Sequence, residues 1–291
     1  MTTSRSVRAA VAAAALLVLA TACAQDTAGA GPASDADIAY ADDDVVLRVE
    51  YTGGFTTPAF LAARLPALTV YGDGRVITEG PQIMIYPGPA LPNVQVQRVS
   101  RKDVAALVDR ALEAGVGTQL DFGEPPVADA AATRFTVLTQ VGPQVTEVYA
   151  LEEAAGAEHG LTEEQVAARA AMRDLLAALT DLPATLGADA VSDEGQYQPT
   201  ALAAVVEAWP TAAEVPGEPE IEWPGPELPG EPLNAELGLH CVTVTGTELD
   251  AVLAAAADAN QTTAWISGGE PYLVTFRPLL PDETTCADLR E

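Results

Sequence analysis

The chain has 291 residues, of which 42 are acidic and 14 are basic, so its formal net charge is −28. A surface of this sign repels phosphate backbones and anionic lipid headgroups, which argues against nucleic-acid binding. Because 48% of the residues are hydrophobic, the chain can bury a core, and the composition argues against wholesale disorder.

The first 22 residues have the pattern of an export signal. A short basic region precedes an uncharged stretch, Ala9–Ala24, whose 16 residues are too few for a membrane-spanning helix. The leucine-rich run that ends in Ala20-Thr21-Ala22-Cys23 resembles the lipobox of bacterial lipoproteins, in which the cysteine is lipidated. We therefore expect a signal peptide over 1–22 and a lipid on Cys23, which would anchor the chain to the outer face of the cell membrane. The alternative is an ordinary A-x-A cleavage site followed by simple secretion.

Residues 23–41 are small and polar, and they are expected to form a flexible tether. A first α+β half is predicted over 42–188. Its expected elements are a strand at 45–52, a hairpin at 68–77 turning at Asp73-Gly74, an edge strand and loop at 81–92, a helix capped by Ser100 and Asp103 and ended by Gly115, a hairpin at 134–151 turning at Gly142-Pro143, and a helix from Thr162 to about Asp181.

Residues 96–115 align without gaps on residues 241–260, so that Ser100 falls on Thr245. A hairpin pattern follows both segments, and the second, at 262–280, turns at Gly268-Gly269. A strand, a capped helix and a hairpin that occur twice predict two similar halves, each with antiparallel strands packed on a capped helix. The second half is predicted over 189–291. Two unrelated amphipathic helices with similar caps are the alternative.

The segment 209–232 contains seven prolines and six glutamates. Proline at this density favours extended polyproline II structure and argues against a helix or a central strand. The segment is either a stiff spacer or an arm that docks a partner. Trp209 and Trp223 are candidate binding side chains, because exposed tryptophans stack on sugars or prolines. Packing on their own neighbouring prolines is the alternative.

The sequence offers no pattern for a catalytic or cofactor site. His159 lies in an acidic loop and His240 adjoins a cysteine, and no nucleophile elbow, phosphate-binding loop or zinc-ligand cluster is present. We therefore expect no cofactor, no metal and no catalytic residue. With 42 acids some carboxylate pair is inevitable, so an acid-residue hydrolase of cell-wall sugars or peptides is the alternative. It predicts a cleft with two carboxylates and at least one raised pKa.

The segments FRPLLPDETTC (276–286) and LTVYGDGRVI (68–77), together with the lipobox, resemble a group of uncharacterised lipoproteins of high-GC Gram-positive bacteria. The resemblance implies a location and a domain type, with Cys23 as the lipid attachment point, but no activity. If Cys23 carries lipid, Cys241 and Cys286 can pair without leaving an orphan thiol, and the resemblance implies the same disulfide. We expect a membrane-anchored, non-catalytic module that binds another envelope component or protein.

Overall fold

The structure is a computed structural model that describes residues 39–156, 159–210 and 219–290. The predicted signal peptide, Cys23 and most of the predicted tether lie outside the described residues. The described residues all belong to one compact unit. Among the described residues, no helix has the length and apolar character needed to cross a membrane.

Seven strands form the first sheet, in the order β6-β5-β1-β2-β3-β4-β7, with every neighbouring pair antiparallel. The strands are β1 (Val45–Gly53), β2 (Leu68–Tyr71), β3 (Arg75–Glu79), β4 (Val94–Arg98), β5 (Ala131–Thr139), β6 (Gly142–Tyr149) and β7 (Gly195–Gln196). The helices of this half are α1 (Pro58–Ala63), α2 (Arg101–Glu113), α3 (Glu163–Thr180) and α4 (Leu182–Leu186).

The core of the first half lies between this sheet and helices α2 and α3. Helix α2 begins at Ser100 with a reciprocal capping box to Asp103, and α3 begins at Thr162 with the same arrangement to Gln165. Both helices bury an apolar stripe against the sheet, as their sequence spacing predicts. The buried apolar residues of these helices are Val104, Leu107, Val108 and Ala111 in α2, and Met172, Leu175, Leu176 and Leu179 in α3.

Six strands form the second sheet, in the order β10-β11-β8-β13-β12-β9. Only β9 and β12 pair in parallel among the described strands of this sheet. The elements are β8 (Ala201–Ala208), β9 (Glu220–Glu222), β10 (Glu231–Asn234), β11 (Leu239–Thr245), α5 (Gly246–Ala257), β12 (Ala264–Ser267) and β13 (Glu270–Pro278).

Strand β8 is buried on both faces, and this joins the two halves. Leu202, Ala204 and Val206 belong to the core beneath α5. Their neighbours in the strand, the small residues Ala201 and Ala203 among them, pack instead with Ala59 and Ala63 of α1. Helix α1 follows β1 of the first sheet in the chain, so a segment of the first half covers the second sheet.

The C-terminal tail, residues 279–290, also connects the halves. The guanidinium of Arg277 is buried, and its Nη2 donates to Glu283 Oε1 at 2.7 Å, while Glu283 Oε2 accepts from the backbone N–H of Leu280. Tyr197, which follows β7, donates its hydroxyl to the carbonyl of Leu279. These bonds fix the start of the tail at the junction of the two sheets.

The α+β prediction is confirmed, and so is the repeated order of strand, helix and hairpin. Thr245 is the residue before α5, as the alignment with Ser100 predicts, although it makes no side-chain capping bond. The order of strands in the two sheets is not the same, however. In the first sheet, the first strand of the hairpin, β5, pairs with the next strand of the sheet, β1. In the second sheet, it is the second strand of the hairpin, β13, that pairs with the next strand, β8. The halves therefore share local units but differ in connectivity.

Two local predictions need correction. Residues 81–92 form no strand; the segment is rich in proline, which lacks a backbone donor, and its bonds reach a distant loop instead. The hairpin predicted at 134–151 turns at Gln140–Val141 and not at Gly142-Pro143, because Gly142, with φ +107°, already pairs with Thr139. Within 209–232, residues 220–222 form the edge strand β9 and residues 231–232 begin the edge strand β10, so the described part of this segment contains no helix or central strand, as predicted. The predicted boundary between 188 and 189 stays a prediction, although β7 belongs to the first sheet.

Candidate functional site

Four consecutive large apolar residues are exposed in the loop between β3 and β4. We call residues 82–87 the apolar loop. Four consecutive large side chains in it, Ile83, Met84, Ile85 and Tyr86, are between 59% and 98% exposed. Scattered exposed apolar residues are ordinary, but a contiguous exposed group is typical of a binding surface.

Both ends of the apolar loop are held in place. On the β3 side, the N–H of Gly80 donates to the carbonyl of Asn93 at 2.7 Å, and Asn93 Nδ2 donates to the carbonyl of Pro81. On the other side, the N–H of Gln261 donates to the carbonyl of Gly88 at 2.9 Å. The loop is therefore presented from a base fixed to both halves.

Helix α1 lies beside this loop and carries apolar side chains on two faces. Thr57 caps it by accepting a bond from the N–H of Phe60, and Pro58 occupies its first turn, where a missing donor costs nothing. Its alanines face β8, whereas Phe60 and Leu61 are exposed. A helix whose outer face exposes large apolar side chains is suited to pack against another molecule.

Arg64, the residue after α1, organises this region. Its Nη1 donates to the carbonyls of Tyr51 and Gly53 at 2.8 and 3.0 Å, which ties the end of β1 to the helix. Its guanidinium carbon lies 5.4 Å from the centroid of the Phe60 ring, a cation–π distance. These contacts restrain the exposed Phe60 side chain.

Three pockets open around Arg64, and all of them include it in their lining. The loop pocket, about 510 Å³, lies between Phe60 and the apolar loop residues Ile83 and Ile85. The leucine pocket, about 490 Å³, includes Leu61 and Leu237. The glutamate pocket, about 540 Å³, has Tyr51, Phe60, Glu79, Glu152 and Glu153 in its lining. We call the three pockets and the apolar loop together the α1 surface.

The glutamate pocket has an acidic character that affects its own side chains. Burial raises the pKa of Tyr51, and the nearby carboxylates of Glu152, Glu153 and Glu79 raise it further. Burial also raises the pKa of Glu79, against the opposing effect of a hydrogen bond from Gln82. The described lining thus carries three carboxylates and the guanidinium of Arg64.

The tryptophans predicted as binding side chains are not part of the α1 surface. Trp223 is only 8% exposed, its Nε1 donates to the carbonyl of Pro226 at 2.6 Å, and its ring meets Trp265 edge-to-face at 5.5 Å. It is therefore a core residue that also bonds its own proline-rich segment, so its assignment as an exposed binding residue is wrong. Trp209, at the end of β8, is half-buried and is not among the described residues that line the three pockets.

The predicted disulfide is confirmed. Cys241 of β11 is bonded to Cys286, with their Cα atoms 6.0 Å apart. His240 is half-buried on β11 and His159 is exposed, and neither lines a pocket of the α1 surface. Within the described residues, no group of three or more His, Cys, Asp or Glu side chains is arranged to hold a metal ion.

The α1 surface was not expected from the sequence, although one signal for it exists. The four apolar residues of the loop lie between prolines, so they cannot belong to a central strand that would bury them. Comparison of the chain with known protein families, with functionally described proteins and with solved structures finds no match.

Proposed function

We propose that this chain is an exported lipoprotein, attached by a lipid on Cys23 to the outer face of the cell membrane, whose folded body is a non-catalytic binding module. We further propose that the α1 surface binds another protein or envelope component. The α1 surface is the observation that carries this proposal, because it groups exposed aromatic and aliphatic side chains around three adjoining pockets.

The energetics of the apolar loop support a binding role. Fully burying one large apolar side chain contributes about 1.5–3 kcal/mol. Four such side chains therefore offer roughly 6–12 kcal/mol, which is comparable with the 4–15 kcal/mol that association costs in lost freedom of motion. Because the base of the loop is already fixed, little further ordering of the backbone is needed on binding.

The position of the tether supports access to this surface. The predicted tether enters the fold at Tyr40–Asp44, where Arg101 Nη1 donates to the carbonyl of Tyr40 and the N–H of Gly72 donates to the carbonyl of Asp44. This entry lies beside the β2–β3 turn, whereas the apolar loop leaves the opposite end of β3. A partner can therefore approach the apolar loop from the side away from the tether.

Two experiments test the proposal. A Cys23→Ala variant should lose palmitate label and appear in the medium, whereas the unchanged chain should stay with the membrane fraction. A photo-crosslinking amino acid at position 83 should give a reproducible crosslinked product in intact cells. The same amino acid at Val141, which is exposed in the β5–β6 turn, is the control. Equal crosslinking at both positions would contradict the binding role.

A second candidate function is an acid-residue hydrolase of envelope sugars or peptides. The glutamate pocket favours it, because three carboxylates line one pocket and the pKa of Glu79 is raised by burial. This function predicts that the purified protein releases new reducing ends or amino groups from isolated cell walls, and that Glu79→Gln abolishes the release. No release by the unchanged protein would exclude it.

A further inference from the structure

We infer that the α1 surface takes a polypeptide segment of a partner protein in which large apolar side chains stand next to lysine or arginine. This inference rests on the proposed binding function and names the chemistry of its partner. The apolar loop, Phe60 and Leu61 would receive the apolar side chains, and the glutamate pocket would receive the basic ones.

The apolar and acidic parts of this surface are one continuous site. Phe60 and Leu65 line both the loop pocket and the glutamate pocket, and Tyr51 lines both the glutamate pocket and the leucine pocket. Glu79 also belongs to two of the three linings. A single short segment can therefore contact the apolar residues and the carboxylates at once.

The carboxylates are held at this site by the backbone beneath them. Leu151 and Ala154 are fully buried, and the N–H of Ala154 donates to the carbonyl of Ala150, so the chain makes one turn that leaves Glu152 and Glu153 exposed between them. Glu79 ends β3 on the side from which the apolar loop leaves. Carboxylates that a fixed backbone groups at one site favour a cationic partner, because electrostatic complementarity selects partners and speeds their encounter.

The charge of the chain argues against two other occupants. A lipid surface with anionic headgroups would meet a net charge of −28 and the three glutamates. A second copy of the chain would bring few available cations, because at least six of its arginines already form ion pairs. These are Arg48, Arg75, Arg98, Arg101, Arg134 and Arg277.

The experiment uses a random 12-residue peptide library displayed on phage. It is selected on the full chain carrying Cys23→Ala and, in parallel, on the same chain with Glu79→Gln, Glu152→Gln and Glu153→Gln. The best peptide is then synthesised, and its Kd is measured by fluorescence anisotropy. A matched triple variant, Glu113→Gln, Glu248→Gln and Glu270→Gln, removes the same charge at exposed sites that line none of these pockets. A cooperative thermal unfolding transition, at a temperature no lower than that of the unchanged protein, establishes that both triple variants are folded.

The expected peptides combine aromatic or aliphatic residues with lysine or arginine. The glutamate-pocket triple should weaken binding about tenfold or more at low salt, the matched triple should weaken it far less, and added salt should reduce the difference. Selected peptides without basic residues, or equal losses in both triples, would overturn the inference.

One further variant, Phe60→Ala, and one further probe, lipid vesicles, separate this inference from the proposed function. Peptide binding that needs Phe60 but not the glutamates leaves the binding function standing and overturns the cationic partner. Peptide binding that is unchanged by Phe60→Ala contradicts both the proposed binding function of the α1 surface and the inferred cationic partner. Vesicles of phosphatidylglycerol and phosphatidylcholine are tested alongside. Binding to them that depends on Phe60, without selection of any peptide, would replace the protein partner with a lipid surface.

Discussion

Arg48 Nη2 donates to both carboxylate oxygens of Asp282, at 2.8 and 2.9 Å, although these residues are 234 positions apart in the chain. The hydroxyl of Tyr71 donates to Oδ1 of the same carboxylate at 2.5 Å. Arg48 and Tyr71 lie on neighbouring strands of the first sheet, and Asp282 belongs to the tail that follows the second. The carboxylate of Asp282 therefore joins the tail of the second half to the sheet of the first.

Replacing Asp282 by alanine should destabilise the protein by about 2 kcal/mol, because it leaves partly buried donors on Arg48 and Tyr71 without their acceptor. The side chains of Arg48 and Asp282 are only 16% and 23% exposed, so water replaces the lost bonds poorly. Urea unfolding measures the change.

The matched control for Asp282 is Glu147→Ala, which breaks the ion pair with Arg134 on the surface of β5 and β6. Those side chains are 39% and 44% exposed, so its loss should cost less than about 1 kcal/mol. Equal losses in the two variants would mean that the Asp282 bonds contribute no more than an exposed pair.

The disulfide between Cys241 and Cys286 holds the end of the tail on β11. It closes a loop across a sequence separation of 45. In the chain-entropy model, the lost entropy of the unfolded chain raises the free energy of unfolding by about 4 kcal/mol. The Cys241→Ala, Cys286→Ala double variant should therefore unfold at a clearly lower urea concentration. The reducing agent dithiothreitol should lower the midpoint of the unchanged protein but leave that of the double variant where it is. A midpoint of the unchanged protein that ignores the reductant would refute this role.

The two aligned helix starts provide a matched pair of variants. Ser100 Oγ accepts a bond from the N–H of Asp103 in a full capping box, whereas Thr245 makes no side-chain capping bond. Ser100→Ala should therefore cost about 1 kcal/mol of unfolding free energy, and Thr245→Ala should cost only a fraction of that. Urea unfolding of both variants under one set of conditions tests the difference. If Thr245→Ala lost more unfolding free energy than Ser100→Ala, the capping bonds would not explain the difference between the two variants.

The sequence patterns predicted those elements whose signals are local. The start of α2 follows from Ser100 and Asp103, which are three positions apart, and the hairpin at 262–280 follows from its glycine pair. Helix α1 begins with a local signal, Thr57 followed by Pro58, but spans only six residues, and β8 carries no such pattern. Strand β8 is rich in alanine and has no alternation, because both of its faces are covered by segments that are distant in sequence.

The candidate site was not predicted because it too is formed by segments that are distant in sequence. Glu79 and Glu152 are separated by the whole of α2 and the β5–β6 hairpin, and only the folding of the sheet brings them to one pocket. Their positions in the sequence carry no shared spacing. The apolar loop, by contrast, was visible as an apolar run between prolines, but its exposure depends on neighbours that do not cover it.

The raised pKa of Glu79 gives a dependence of stability on pH with a definite sign. Burial of its carboxylate raises the pKa in the folded protein above the ordinary glutamate value of about 4.3. Between these two values the folded state binds more protons than the unfolded state, so the contribution of Glu79 to stability is lost as pH rises through the folded pKa.

Glu79→Gln removes this titration and should therefore be more stable than the unchanged protein at pH 7, with the difference shrinking toward zero near pH 4. Urea unfolding of both proteins between pH 4 and pH 8 measures it, and Glu113→Gln, which removes an exposed carboxylate on α2, is the matched control. If Glu79→Gln were instead the less stable protein at pH 7, the bond from Gln82 Nε2 to the carboxylate, 3.3 Å long, and the attraction of the Arg277 and Arg64 guanidinium groups would together outweigh the cost of burying the charge. The glutamate pocket would then stabilise its own carboxylate, and a cationic partner would gain less by neutralising it.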